Sequence, residues 1–213
     1  MTNSSAQQDT LSLNTPARAL YCDRVIVPEP LWQRAAPRHR HLSRAQKHWL
    51  FDPSSLTKKL IAYSAGQLRV EVIDQRIRRA RFSEYKALKL KHHHYVVVRE
   101  VILHGNQTAL VYARTIMPLS TLKGSLRRLY YLGNRPLGSA LFADPSMRRG
   151  ELDVASIDQN FLPKRVFDSL PQALGGSHRK DIKNYCWGRR SVFFVKRKPL
   201  LVCEIFLPEL IDT

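Results

Sequence analysis

Residues 191–207 confine the fold more tightly than any other stretch of the chain. Ser191-Val-Phe-Phe-Val195 is β-branched and aromatic, Lys196-Arg-Lys198 is a basic turn and Leu200 to Leu207 is an apolar run, so the segment reads as a β-hairpin. Side chains alternate faces along a strand. Leu200, Val202, Glu204 and Phe206 therefore share one face, and Leu201, Cys203, Ile205 and Leu207 the other. Glu204 lies on an apolar face of a strand that is apolar on both sides. Burying an unpaired carboxylate costs on the order of several kcal/mol. Two readings follow: a structural glutamate that pairs with an arginine or lies at a sheet edge, or an acid facing a cavity where a ligand satisfies it.

A second hairpin repeats the oddity with the sign reversed. The strands at 95–103 and 109–117 flank a turn at 104–108. Arg99 shares a face with Val97, Val101 and Leu103, and Arg114 shares one with Leu110, Tyr112 and Ile116. The structural reading of Arg99 is a salt bridge within the sheet, with Glu204 itself a possible partner. Six strands are expected in all: 68–74, 95–103, 109–117, 150–157, 188–195 and 199–207. Between them lie helix signals at 40–51, at 54–66 with serine caps and a Gly66 stop, at 120–130 before Gly133, from Pro136 to Phe142, and around 165–174. The stretch at 76–94 reads as a basic, solvated connection. Two tight hairpins and these helices give an α+β fold, a six-stranded antiparallel sheet with helices packed on it. Residues 1–20 read as a flexible tail, 21–213 as a single domain, and 158–185, with Pro163, Pro171 and Gly175-Gly176, as an elaborated insertion.

Composition narrows the function. The 213 residues are 44% hydrophobic, enough for one sizeable core. A net charge of +18 points to nucleic acid, to a membrane surface, or to a field that draws in a small anion. The basic residues are spread over 34–47, 76–91, 123–135 and 179–198, with few aromatics among them, so no stacking platform for single strands is evident. No apolar run approaches the roughly 20 residues of a membrane span, and the polar start lacks the apolar core of a signal peptide. Cys22, Cys186 and Cys203 have no metal-ligand spacing and cannot all pair, which fits a reducing compartment. A soluble cytoplasmic protein is expected. His39, His41 and His48 lack a carboxylate or cysteine to complete a ligand set, and the His92-His93-His94 run reads as part of the solvated connection. There is no glycine-rich phosphate loop, and Cys203 has no evident base for covalent catalysis.

Four blocks carry a resemblance: Val98-Arg-Glu-Val-Ile-Leu103; Ala113-Arg-Thr-Ile-Met-Pro-Leu-Ser-Thr-Leu122; Arg135-Pro-Leu-Gly138 with Leu141-Phe142; and Trp187-Gly-Arg-Arg-Ser191 followed by Pro199-Leu-Leu-Val-Cys-Glu-Ile-Phe-Leu-Pro208. In these the chain resembles the chorismate pyruvate-lyases, which supply 4-hydroxybenzoate for ubiquinone. Ser55-Leu-Thr-Lys-Lys-Leu60 is similar to a further family segment, usually written with methionine at the place of Leu56. The resemblance implies a six-stranded antiparallel sheet and a buried site closed by helical flaps. It implies that Arg99 binds the ring carboxylate, aided by backbone amides at Leu56 and Leu137, and that Glu204 contacts the ring hydroxyl and takes part in catalysis.

The residue types suit those roles. A guanidinium is a planar fork for a carboxylate, helix starts offer amides and a favourable dipole, and an acid in an apolar setting can handle a proton or hold a hydroxyl. Arg114 is assigned to the substrate's second carboxylate or to an access path. The implied protein converts chorismate to 4-hydroxybenzoate and pyruvate as a monomer, with no metal or organic cofactor, no obligatory nucleic acid and no membrane span. The competing reading is a non-catalytic effector-binding module on the same fold, as in some transcription regulators.

Overall fold

The two hairpins lie side by side and build the middle of one antiparallel sheet. The computed structural model describes residues 29–35, 42–91, 94–168 and 185–211. Its strands are β1 (Gln33–Arg34), β2 (Leu68–Arg79), β3 (Tyr95–Gly105), β4 (Thr108–Pro118), β5 (Arg148–Asp158), β6 (Tyr185–Val195) and β7 (Lys198–Phe206), in the order β1-β5-β6-β7-β4-β3-β2. Asn106 and Gln107 turn β3 into β4, and Lys196 and Arg197 turn β6 into β7. All four residues have positive φ, the two-residue geometry whose twist matches that of the flanking strands. β7 then pairs with β4, with Glu204 opposite Ala113.

The sheet has seven strands where six were expected. β1 pairs only Gln33 and Arg34 with β5, which is too short to leave a pattern in the sequence. β2 also runs on to Arg79, because a register shift between Val72 and Asp74 interrupts the alternation that marked its start. A second shift between Leu103 and His104 leaves Leu110 without a register partner on β3, so Leu110 packs with Val111 rather than on the face of Tyr112 and Arg114.

The helices are α1 (Arg44–Leu50), α2 (Leu56–Tyr63), α3 (Phe82–Leu88), α4 (Leu137–Phe142), α5 (Lys164–Phe167) and α6 (Pro208–Ile211). Ser43 and Gln46 close a capping box on α1, and Ser55 caps α2. α3 occupies part of the stretch read as a solvated connection: Glu84 reaches back to the Arg81 amide at 2.7 Å, and Glu29 accepts from the amides of Phe82 and Ser83. The helix expected at 120–130 is a 3-10 helix over Gly124–Leu129. The tail at 1–20, His39, His41, His92, His93, Cys22 and residues 169–184 of the insertion lie outside the described residues. Among the described residues no helix is long and apolar enough to cross a membrane.

Helices cover the sheet on both sides, which is why β3, β4 and β7 are apolar on both faces. Trp49, Leu60, Val101, Phe206 and Leu210 pack on one face near α1, α2 and α6; Leu129, Leu141, Phe193 and Leu200 continue that face under α4. Tyr85, Val98, Ile116 and Leu201 pack under α3 on the other face, where Ile157, Val166 and Ile205 pack beside α5.

The α3 face also holds a buried ionic cluster. Arg114, 4% exposed, donates to Glu84 at 2.7 Å and to Glu100 at 2.6 Å, while the Tyr112 hydroxyl and Arg78 donate to the same Glu100. Burial alone pulls the Arg114 guanidinium down, but the hydrogen bond and charge of Glu84, with Tyr112 and Glu100 adding, lift it above the ordinary arginine value. Removing a buried cation strands its partners. Arg114→Met should therefore lower the unfolding free energy in urea by about 3–5 kcal/mol; a loss below about 1 kcal/mol would show that Glu84 and Glu100 do not depend on it.

Candidate active site

Across the sheet from that cluster, the other face carries a cavity. Arg99 on β3 stands opposite Thr115 on β4, Thr115 opposite Val202 on β7, and Glu204 lies two residues further along β7. Strand spacing and rise put the α-carbons of Arg99 and Glu204 roughly 12 Å apart. Between them lies about 580 Å³ of empty space, part of it open to solvent. Arg99, Val101, Ala113, Thr115, Val202 and Glu204 line it from the sheet, and Leu56, Thr57, Leu137, Gly138, Leu141 and Phe142 from the two helices above. The helices touch so closely that a side chain at Gly138 would collide with Thr57 Oγ1. Leu56 and Thr57 form the first turn of α2, and Leu137 and Gly138 that of α4, so amides without an intrahelical acceptor belong to cavity-lining residues.

Arg99 is 2% exposed and has only neutral partners among the described residues. Its Nη1 donates to Gln75 Oε1 at 3.0 Å, and its Nη2 to the carbonyls of Gly133 at 2.7 Å and Arg135 at 3.4 Å. Gln75 is fixed in turn by donating to the Tyr130 carbonyl. Burial lowers the Arg99 pKa, and no carboxylate among the described residues pairs with it. Arg114 has the opposite environment. It was assigned to a second substrate carboxylate or an access path, but it sits on the far face of the sheet, held by Glu84 and Glu100, and does not line this cavity.

Glu204 pairs with Arg189 rather than with Arg99. Arg189 Nε donates to Glu204 Oε2 at 2.6 Å, and Nη1 donates to the carbonyls of Trp49 at 2.9 Å and Asp52 at 2.7 Å. Arg189 is 1% exposed and stands over the Phe206 ring. It thus ties the acid to the connection between α1 and α2. Among the described residues, Glu204 Oε1 accepts no hydrogen bond. Sequence reading assigned Arg189 no role, although the signal was there. Once the turn is placed at Lys196 and Arg197, counting back along β6 sets Arg189 directly across from Glu204, the spacing at which opposite charges meet. Thr57 and Thr115, both 4% exposed, were missed as well.

The profile of the family described as chorismate lyase matches residues 26–213. The chain belongs to the chorismate lyase family. A relative named "Probable chorismate pyruvate-lyase" in Methylococcus capsulatus is 38% identical over 164 residues, covering 77% of this chain and 95% of the relative. Another of that name in Pseudomonas aeruginosa PAO1 is 36% identical over 182 residues, covering 85% and 93%. Among solved structures, a GntR-family transcriptional regulator from Bacillus cereus matches 67% of this chain and 93% of its own at 14% identity and a TM-score of 0.48, a likeness too loose to carry function.

Of the residues singled out in the sequence, Arg99, Leu56, Leu137 and Glu204 line the one cavity and Arg114 does not. Cys203, next to Glu204, points to the opposite face, where burial pushes its thiol up to about 12. At pH 8 the nucleophilic thiolate is then a minute fraction. Peptide mapping after iodoacetamide treatment of the folded protein should find Cys203 unmodified, and rapid labelling would contradict its buried setting.

Proposed function

We propose that Arg99 and Glu204 hold chorismate by opposite poles of its ring while this chorismate pyruvate-lyase converts it to 4-hydroxybenzoate and pyruvate. One observation carries the reading. One cavity has at one end a buried guanidinium with no counter-ion among the described residues and, at the other, a carboxylate with one oxygen to which none of those residues donates. The ring carboxylate supplies the charge that Arg99 lacks, and the amides at Leu56 and Leu137 add donors of the same polarity. Glu204 Oε1 meets the ring hydroxyl, with Oε2 fixed by Arg189.

In the reaction the ether C–O bond breaks and the ring carbon bearing the hydroxyl loses its hydrogen. The ring becomes aromatic, and the enolpyruvyl fragment gains a proton and leaves as pyruvate. Atoms balance without a co-reactant. The protein's contribution is to hold the ether in a reactive conformation away from water, with Glu204 beside the carbon that changes. The starts of α2 and α4 serve as flaps that part for substrate and product, and the enzyme works as a cytoplasmic monomer without a metal or organic cofactor.

Purified protein mixed with chorismate and a chelator should yield 4-hydroxybenzoate and pyruvate in equal amounts. No product above the spontaneous rate would overturn the reading, and benzoate binding without turnover would turn it into an effector module. Glu204→Gln should lower kcat about 100-fold with native circular dichroism, the scale of a charge-assisted hydrogen bond lost at the reacting ring. Arg99→Met should raise KM by a similar factor. Arg189→Met should act mainly on kcat, because it frees Glu204 without touching the carboxylate end; an effect confined to KM would contradict its assignment as the residue that positions the acid.

A further inference from the structure

One end of the sheet carries more positive charge than the described acids around it answer. The β6–β7 turn presents Lys196, Arg197 and Lys198, and Arg148 at the start of β5 pairs across from Phe194. Ser146, Arg148, Phe194, Lys196 and Arg197 line an open basin there. Lys196 Nζ donates to Ser125 at 2.8 Å and its amide to Ser146 at 2.9 Å, which brings the 3-10 helix with exposed Lys123, Arg127 and Arg128 onto the same surface.

Against these seven cations, Asp144 is the only acid in residues 119–148 and 196–198. It is already taken by Arg128 at 3.0 Å and by Ser146. Phe194 is 39% exposed and Tyr131 58%, the latter beside Arg127. Like charges gathered at one end oppose folding through their mutual repulsion. Apart from Arg128, these cations form no ion pair among the described residues, and none of the seven lines the cavity between Arg99 and Glu204. The charge is therefore directed outward.

We propose that this end docks on an anionic phospholipid bilayer, with lipid phosphates seated in the basin among Arg148, Lys196 and Arg197 and the Phe194 ring entering the headgroup layer. An exposed hairpin turn with cations around a partly exposed phenyl ring suits an interface that is charged outside and apolar beneath. A single-stranded polynucleotide would instead call for a groove that tracks the backbone, with aromatics at successive base spacings. The described surface offers a basin lined by one exposed aromatic, Phe194, and three cations.

The test is sedimentation of the full chain with vesicles. Binding to equal mixtures of phosphatidylglycerol and phosphatidylcholine is expected at 50 mM salt, with none to phosphatidylcholine alone, and should be lost at 500 mM salt. Lys196→Glu with Arg197→Glu, and separately Lys123→Glu with Arg127→Glu, should each weaken partitioning at least about tenfold while chorismate turnover stays unchanged. Phe194→Ser should weaken it severalfold at constant charge. The proposal is overturned by absence of binding to the anionic vesicles, by binding that both charge reversals leave intact, or by tighter retention on a random duplex DNA at matched phosphate concentration.

Discussion

A guanidinium buried among neutral oxygens is the feature on which the rest of this structure depends. Arg99 and Arg114 lie on neighbouring strands of one sheet, both nearly inaccessible, yet their settings are opposite. Arg114 has two carboxylates and a hydroxyl network around it, and its charge is answered within the fold. Arg99 has an amide oxygen and two backbone carbonyls, which orient it without neutralising it. A buried charge held this way is stable only because the surrounding fold is strong enough to hold it, and it leaves an electrostatic vacancy suited to an anion, the role proposed for it above.

The sheet order sets that vacancy at one end of a cavity. Because β7 pairs with β4, the acid of one hairpin and the cation of the other come to the same face with β4 between them. Small residues in the intervening strand, Ala113 and Thr115, leave the space that larger side chains would fill. The roof is set by the same logic: Gly138 lets α4 approach Thr57 of α2, and the carbonyls that grip Arg99 come from the segment leading into α4. Arg189 does the corresponding work at the other end, joining Glu204 to the connection that leads into α2. Each pole of the cavity is thus braced to one of its two covering helices.

Much of this was legible in the residues and some was not, for definable reasons. Period-two alternation placed Glu204 and Arg99 on apolar faces, and the family blocks pointed to Leu56 and Leu137, which line the same cavity. Alternation does not say which strands become neighbours, so the Glu204 partner was left open between an arginine and a ligand, and the answer lay across the hairpin at Arg189. The far-side position of Arg114 follows from the β3–β4 register, which pairs it with Glu100 and not with Arg99. Bulges after Val72 and at Leu110 broke the pattern locally, and β1 was too short to show one. α3 was hidden because its core residues, Tyr85 and Leu88, lie in a run dominated by basic side chains.

The most direct test is a crystal structure of the protein with 4-hydroxybenzoate bound. The account predicts the product between sheet and covering helices, its carboxylate within hydrogen-bonding distance of the Arg99 guanidinium and its phenolic oxygen against Glu204 Oε1, with the Arg189–Glu204 pair retained. A ring bound the other way round, or outside the cavity with Arg99 still contacting only Gln75, Gly133 and Arg135, would contradict it.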